Sequence, residues 1–73
     1  APVDIHKFIS ITKQCMEQFY IDHKIFVEGF LLWNHTEYEW NHQTLIAHFE
    51  QDLKIEFEQA DDFLRIRSMN VVL

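Results

Sequence analysis

The stretch from Thr44 to Leu64, TLIAHFEQDLKIEFEQADDFL, constrains the fold of this chain more than any other part. Its apolar residues recur at steps of three and four, the spacing that places side chains on one face of an α-helix: Ile46, Phe49, Leu53, Phe57, Ala60 and Leu64. From Leu53 onward a second pattern begins, in which apolar and charged residues alternate as in a half-buried hairpin. The sequence therefore predicts a helix from Thr44 to about Leu53 and leaves residues 53 to 68 open between helix and hairpin.

The scarcity of turn residues favours helices over an all-β fold. The 73 residues include one Gly and one Pro, too few for a chain of tight turns. A chain of this length forms one domain, here residues 1 to 73, that needs most of its apolar side chains in a single core. We therefore expect an all-α fold, a small bundle of three or four helices, with an α+β fold carrying a C-terminal hairpin as the alternative.

The first 21 residues give the clearest single element. A helix from about Asp4 to Ile21 is predicted, with Asp4 as its N-cap. Its apolar face is made of Ile5, Phe8, Ile9, Thr12, Cys15, Met16 and Phe19. Residues 25 to 41 fit neither period and are predicted to be a long packed loop, and Ser68 is predicted to cap a last short helix.

The charge balance indicates what kind of partner the chain suits. Six Lys and Arg against twelve Asp and Glu give a net charge of −6, which repels phosphate backbones and anionic membrane surfaces. A protein with a basic surface patch is the better partner, although plain solubility also explains the charge. With one cysteine, Cys15, on an apolar helix face, and no apolar run long enough to span a membrane, a cytoplasmic location is the default expectation.

The run LIAHFEQDLKIEFEQADDFLRIRSMNVVL, residues 45 to 73, resembles the second half of an acyl carrier protein. The resemblance implies a second helix at Leu45 to Leu53, a connecting segment at Ile55 to Phe57, a third helix at Ala60 to Ile66, and Ser68 as the cap of a fourth. In that family the second helix is acidic and meets basic partner enzymes. The attachment serine is missing, because the matching place reads Tyr38, Glu39, Trp40. The resemblance therefore implies a carrier-like scaffold without a phosphopantetheine arm.

The predicted partner-binding surface joins the acidic residues of this stretch to the aromatic residue beside it: Glu39, Trp40, Glu50, Asp52, Glu56, Asp61 and Asp62. Complementary charge on a basic partner would steer encounter and fix register. The alternative interpretation is that these acidic residues form the ordinary solvent-exposed side of an amphipathic helix. Trp40 is either an interface anchor or part of the core.

Two other functions, nucleophilic catalysis and metal binding, have weaker support in the sequence. Cys15 is the only thiol and its spacing places it in the core, so nucleophilic catalysis is not expected. His35, Glu39 and His42 would share one face if residues 35 to 42 were helical, as Zn²⁺ ligation could use, but the sequence offers no fourth ligand. We therefore expect neither a metal nor a cofactor.

The sequence as a whole predicts a non-enzymatic, acyl-carrier-like protein that acts by protein-protein interaction through its acidic second helix. The alternative function is a small acidic inhibitor or nucleic-acid mimic that blocks a basic site on a target protein. Exposed aromatic residues leave self-association as a further possibility.

Overall fold

The computed structural model describes residues 2–18, 22–61 and 63–72. Two helices come first, α1 at Ile5–Gln18 and α2 at His23–Trp33. Four strands follow: β1 at Glu37–Asn41, β2 at Thr44–His48, β3 at Asp52–Gln59 and β4 at Leu64–Val72. The strands form one antiparallel sheet in chain order, β1-β2-β3-β4, and the helices cover one of its faces.

Helix α1 forms where the sequence predicts it. Asp4 caps it, because the carboxylate Oδ1 accepts a hydrogen bond of 2.8 Å from the Lys7 backbone N–H. Ile5, Phe8 and Thr12 of the predicted apolar face are buried. The predicted last residues of this helix, 19 to 21, lie outside the described residues.

The prediction of a long loop over residues 25 to 41 is wrong, because α2 and β1 occupy this stretch. Helix α2 is apolar on two sides, so it gives no amphipathic period to read from the sequence. It ends without glycine: His35 adopts a positive φ of 57°, and the N–H groups of His35 and Thr36 donate to the carbonyls of Leu32 and Leu31. This pattern of two bonds is the Schellman motif, in which glycine is the usual residue at the left-handed position.

The predicted helix from Thr44 to Leu53 is also wrong, because these residues form β2, a turn and the start of β3. Along β2, Leu45 and Ala47 are buried while His48 is exposed, which is the alternation of a half-buried strand. The helical spacing arose because apolar residues of two strands and a turn happen to follow each other at steps of three and four. Pairing with neighbouring strands decided the outcome, since strand formation depends on cross-strand contacts more than on local preference.

Of the contested stretch, residues 53–59 and 64–68 pair in the hairpin of β3 and β4, so the alternating pattern predicts them correctly. Glu56 pairs with Ser68 and Phe57 with Ile66, which leaves Arg67 as the extra residue of a β-bulge in the edge strand β4. Ser68 therefore lies within a strand and caps no helix.

The core lies between the helices and the inner face of the sheet. Its buried members are Ile5, Phe8, Val27, Leu31, Leu45, Ala47, Leu53, Ile55 and Phe57. Phe8 is central, with its ring centroid 4.7 Å from that of Phe30 and 5.4 Å from that of Phe49. Edge-to-face and tilted packing of this kind adds to the energy of burial.

The fold is therefore α+β, and the predicted all-α bundle is wrong, while the stated alternative of an α+β fold with a C-terminal hairpin is confirmed. The helices that the resemblance to acyl carrier proteins implies between residues 45 and 66 are strands and turns at the described positions, 45–61 and 63–66. Within the described ranges, neither helix has the length and apolar character needed to cross a membrane.

Candidate interaction surface

The outer face of the sheet, opposite the helices, carries all five acidic side chains of the strands. Alternation and register place five carboxylates on it: Glu37, Glu39, Asp52, Glu56 and Glu58. No two of these carboxylates pair directly across adjacent strands, but all five point to the same side of one sheet.

The carboxylates at the β3 and β4 end of this face are engaged with neighbours. Glu58 accepts two hydrogen bonds from the Arg65 guanidinium across the strand pair, one of them 3.2 Å from Nε. Glu56 accepts a hydrogen bond of 3.4 Å from the Ser68 hydroxyl. Their charge is therefore partly compensated within the sheet.

The opposite end of the face has little such compensation. Register aligns Glu37, His48 and Asp52 in one row across β1, β2 and β3, and Glu39, Ile46 and Lys54 in the next row. Within the described ranges, Glu37 and Glu39 have no ion-pair partner. We name the set Glu37, Glu39, His48 and Asp52 the acidic corner.

His48 reports the negative field of the acidic corner. Its Nδ1 lies 2.9 Å from the Asp52 carboxylate. This hydrogen bond raises the pKa of His48 above 6.5, against a lowering by partial desolvation, and the charges of Asp52, Glu39 and Glu37 raise the pKa further. The corner therefore favours a positive charge, which is what a basic partner would supply.

The structure brings together part of the predicted partner-binding set, on a different element. Glu39, Asp52 and Glu56 lie on the outer face of the sheet. The acidic second helix predicted to carry Glu50 and Asp52 is replaced by β2, a turn and the start of β3. Glu50 is exposed in the turn between β2 and β3, and Asp61 is exposed in the turn between β3 and β4. Asp62 lies outside the described residues.

Trp40 does not belong to this surface. Its side chain points to the inner face of the sheet, where its Nε1 donates a hydrogen bond of 2.9 Å to the carboxylate of Glu28 on α2. The Phe57 ring lies 5.2 Å away, and the Lys24 ammonium lies 5.6 Å from the indole. A partner-binding role for Trp40 stays a prediction, and in the structure its aromatic ring helps to fix α2 on the sheet.

Sequence reasoning missed Glu37 and His48. The signal was present, because Glu37, Glu39 and Asn41 alternate with Tyr38 and Trp40, the pattern of a strand with one wet face. The interpretation of residues 25 to 41 as one loop left this alternation unused.

The predicted alternative metal site is not assembled. His35 lies just after α2, Glu39 lies on β1, and His42 has a φ of 58° in the two-residue turn between β1 and β2. Across residues 2–18, 22–61 and 63–72, no three His, Cys, Asp or Glu side chains are grouped as metal ligands.

No protein family, curated protein or solved structure matches this chain. The geometry of the acidic corner is therefore the starting point for a functional proposal.

Proposed function

We propose that the protein is a non-enzymatic binding module that docks through the acidic corner onto a basic patch of a partner protein. The observation that supports this most directly is the concentration of Glu37, Glu39 and Asp52 around His48 on the outer face of the sheet. The three carboxylates lie beside His48 and one lysine, Lys54, so negative charge is in excess there. A basic partner would offset this excess and gain from electrostatic steering.

Partner capture with matched charge variants tests this proposal. The test variant, Glu37→Lys with Glu39→Lys, and the control variant, Glu17→Lys with Asp61→Lys, each change the net charge from −6 to about −2. All four positions are exposed, so both variants keep the core intact. Circular dichroism and thermal unfolding confirm the fold of each before binding is compared.

We expect the test variant to bind the captured partner at least tenfold more weakly than the control, with the difference shrinking as salt rises, because exposed charges are screened. Equal weakening in both variants would reduce the effect to net charge and contradict docking at the acidic corner. Displacement of the partner by DNA or RNA would mean that its basic patch is a nucleic-acid site, which would make the protein a mimic.

Binding also depends on the protonation of His48. Its pKa lies above 6.5, so lowering the pH through this pKa adds a positive charge to the acidic corner and weakens attraction to a basic partner. A His48→Asn variant should lose this part of the pH dependence. Affinity measured between pH 5.5 and 8.5 for both proteins checks the expectation, and identical pH profiles would contradict it.

A further inference from the structure

Helix α2 has a second apolar face that the sheet does not cover. Val27 and Leu31 are fully buried against the core. On the opposite side, Ile25, Leu32 and Trp33 are 69%, 66% and 67% exposed. A helix that is apolar on both sides is typical of one that is buried on both sides.

The middle of this exposed face is open. Gly29 is exposed, and a Cβ added to it would meet no atom within 4 Å. Without a side chain, its backbone allows another helix to approach closely. An apolar groove of about 510 Å³ runs beside it towards α1, with Ile11, Cys15, Phe26 and Phe30 among its walls.

The spacing of the apolar residues around Gly29 is symmetric. Ile25 and Trp33, both exposed, lie four residues before and after Gly29. The half-buried Phe26 lies three residues before it, and the exposed Leu32 three residues after it. A two-fold axis beside Gly29 would place two copies of α2 antiparallel, with Ile25 of each copy at the height of Trp33 of the other. An isologous interface of this kind pairs one patch with itself, and apolar side chains meet apolar side chains in this arrangement.

We propose that the protein forms an antiparallel homodimer through α2, centred on Gly29. The two charged side chains of α2 nearest this face do not obstruct the contact: Glu28 is bonded to Trp40, and Lys24 lies over the Trp40 ring on the β1 side. The interface therefore buries no unpaired charge, which would be costly. It lies on the helical layer, so this inference is independent of docking through the outer face of the sheet.

The size of the patch sets the expected affinity. Three side chains that are about two-thirds exposed offer on the order of 400 Å² of apolar surface per copy, which is large for an exposed patch on a monomer. Two copies with the groove walls bury roughly 1,000 Å², at the lower end of specific interfaces. We therefore expect a dissociation constant on the order of 10–100 µM.

Sedimentation velocity of the untagged protein from about 1 to 500 µM tests the dimer. Ile25→Glu and Trp33→Arg should each weaken dimerisation at least tenfold. The double variant should lose less than the product of the two single losses, because the two introduced charges meet across the two-fold axis. Asn70→Glu, an exposed change on the outer face of the sheet with the same charge difference as Ile25→Glu, should leave the association unchanged.

A cross-linking experiment tests the position of the axis. In a Cys15→Ser background, Gly29→Cys should form an intermolecular disulfide on mild oxidation, because each residue meets its own copy at the axis. Lys24→Cys, exposed on the same helix but away from the apolar face, should cross-link much more slowly.

Four results would overturn the proposal. The first is a protein that stays monomeric at 500 µM, and the second is a dimer that neither single substitution weakens. The third is a double variant whose loss is at least the product of the two single losses, and the fourth is Lys24→Cys cross-linking as fast as Gly29→Cys. Either of the last two rules out the antiparallel arrangement about Gly29.

Discussion

Asn34 is the polar residue on which the N-terminal segment depends. It follows α2 and is only 3% exposed. Its side chain pairs with the Val3 backbone as a neighbouring strand would: Oδ1 accepts from the Val3 N–H at 2.7 Å, and Nδ2 donates to the Val3 carbonyl at 3.1 Å. Nδ2 also donates to the Thr36 hydroxyl at 2.9 Å. One amide thereby joins the start of the chain to the end of α2.

Asn34→Ala removes three hydrogen bonds and leaves both Val3 groups partly buried without these partners. At about 1 kcal/mol of net stability for each bond, we expect a loss of roughly 2–3 kcal/mol. A domain of this size has a total of roughly 0.05–0.15 kcal/mol per residue, so the loss should be a large fraction of its stability. Asn34→Asp keeps the acceptor but loses both donated bonds and places a buried carboxylate against the Val3 carbonyl, so its cost should be at least as large as that of Asn34→Ala.

Urea denaturation followed by circular dichroism measures these changes, with the exposed Asn70→Ala as the control expected to lie within about 0.5 kcal/mol of the parent. Deleting residues 1–3 provides a double-mutant cycle, because Asn34→Ala should cost at least about 1 kcal/mol less once Val3 is absent. A cost below about 0.5 kcal/mol in the full chain, or a cost unchanged by the deletion, would refute the pairing of Asn34 with Val3 as a source of stability.

Three further changes follow from single contacts. Thr12→Val should raise the free energy of unfolding by about 1 kcal/mol in urea titrations, because within the described residues the buried Thr12 hydroxyl has no hydrogen-bond partner; destabilisation would contradict this. His35→Gly should raise the melting temperature and add about 1 kcal/mol to the free energy of unfolding, because glycine adopts the φ of 57° at position 35 without strain. His6→Gly inside α1 should instead lower the melting temperature. Burial, and to a smaller extent the charge of Arg65, lower the pKa of His23, whose neutral Nδ1 accepts the Ile66 N–H at 2.8 Å. Stability should therefore fall as pH drops below 6.5, and His23→Asn should flatten this fall. Urea titrations at pH 7.5 and 5.5 measure this fall in stability in a His48→Asn background. The background variant is needed because the raised pKa of His48 contributes stability below pH 6.5 that is lost as pH rises through that pKa.

The elements that the sequence predicted are those whose pattern reflects a single neighbour. Helix α1 has one dry face, so Ile5, Phe8 and Thr12 recur at helical steps. The β3 and β4 hairpin also has one dry face, and Leu53 alternates with charged residues for the same reason. In both cases local periodicity and tertiary burial agree, which is the condition under which a pattern is readable.

The sequence missed the elements whose packing partners lie far away along the chain. The local hydrophobic pattern does not show contacts of that kind. Helix α2 is apolar on two sides, and β2 is only five residues long, so neither offers a full period. The sequence still placed Glu39 and Asp52 on the surface, because exposed carboxylates stay exposed whether their element is a helix or a strand. It did not place Trp40 on the inner face, since only the register of β1 reveals that Trp40 faces α2.

The rotation of α2 about its axis links the two proposed surfaces. Its carboxylate Glu28 is bonded to Trp40 at 2.9 Å and to the Tyr38 hydroxyl at 3.4 Å, both on the inner side of β1. Turning Val27 and Leu31 into the core while Glu28 reaches β1 leaves Ile25, Leu32 and Trp33 as the only large side chains that can face outward on the remaining side. The same alternation that turns Trp40 and Tyr38 inward turns Glu37 and Glu39 outward. The strand that holds α2 in place therefore also builds the acidic corner, so an apolar surface and an acidic surface arise on opposite layers of one small domain.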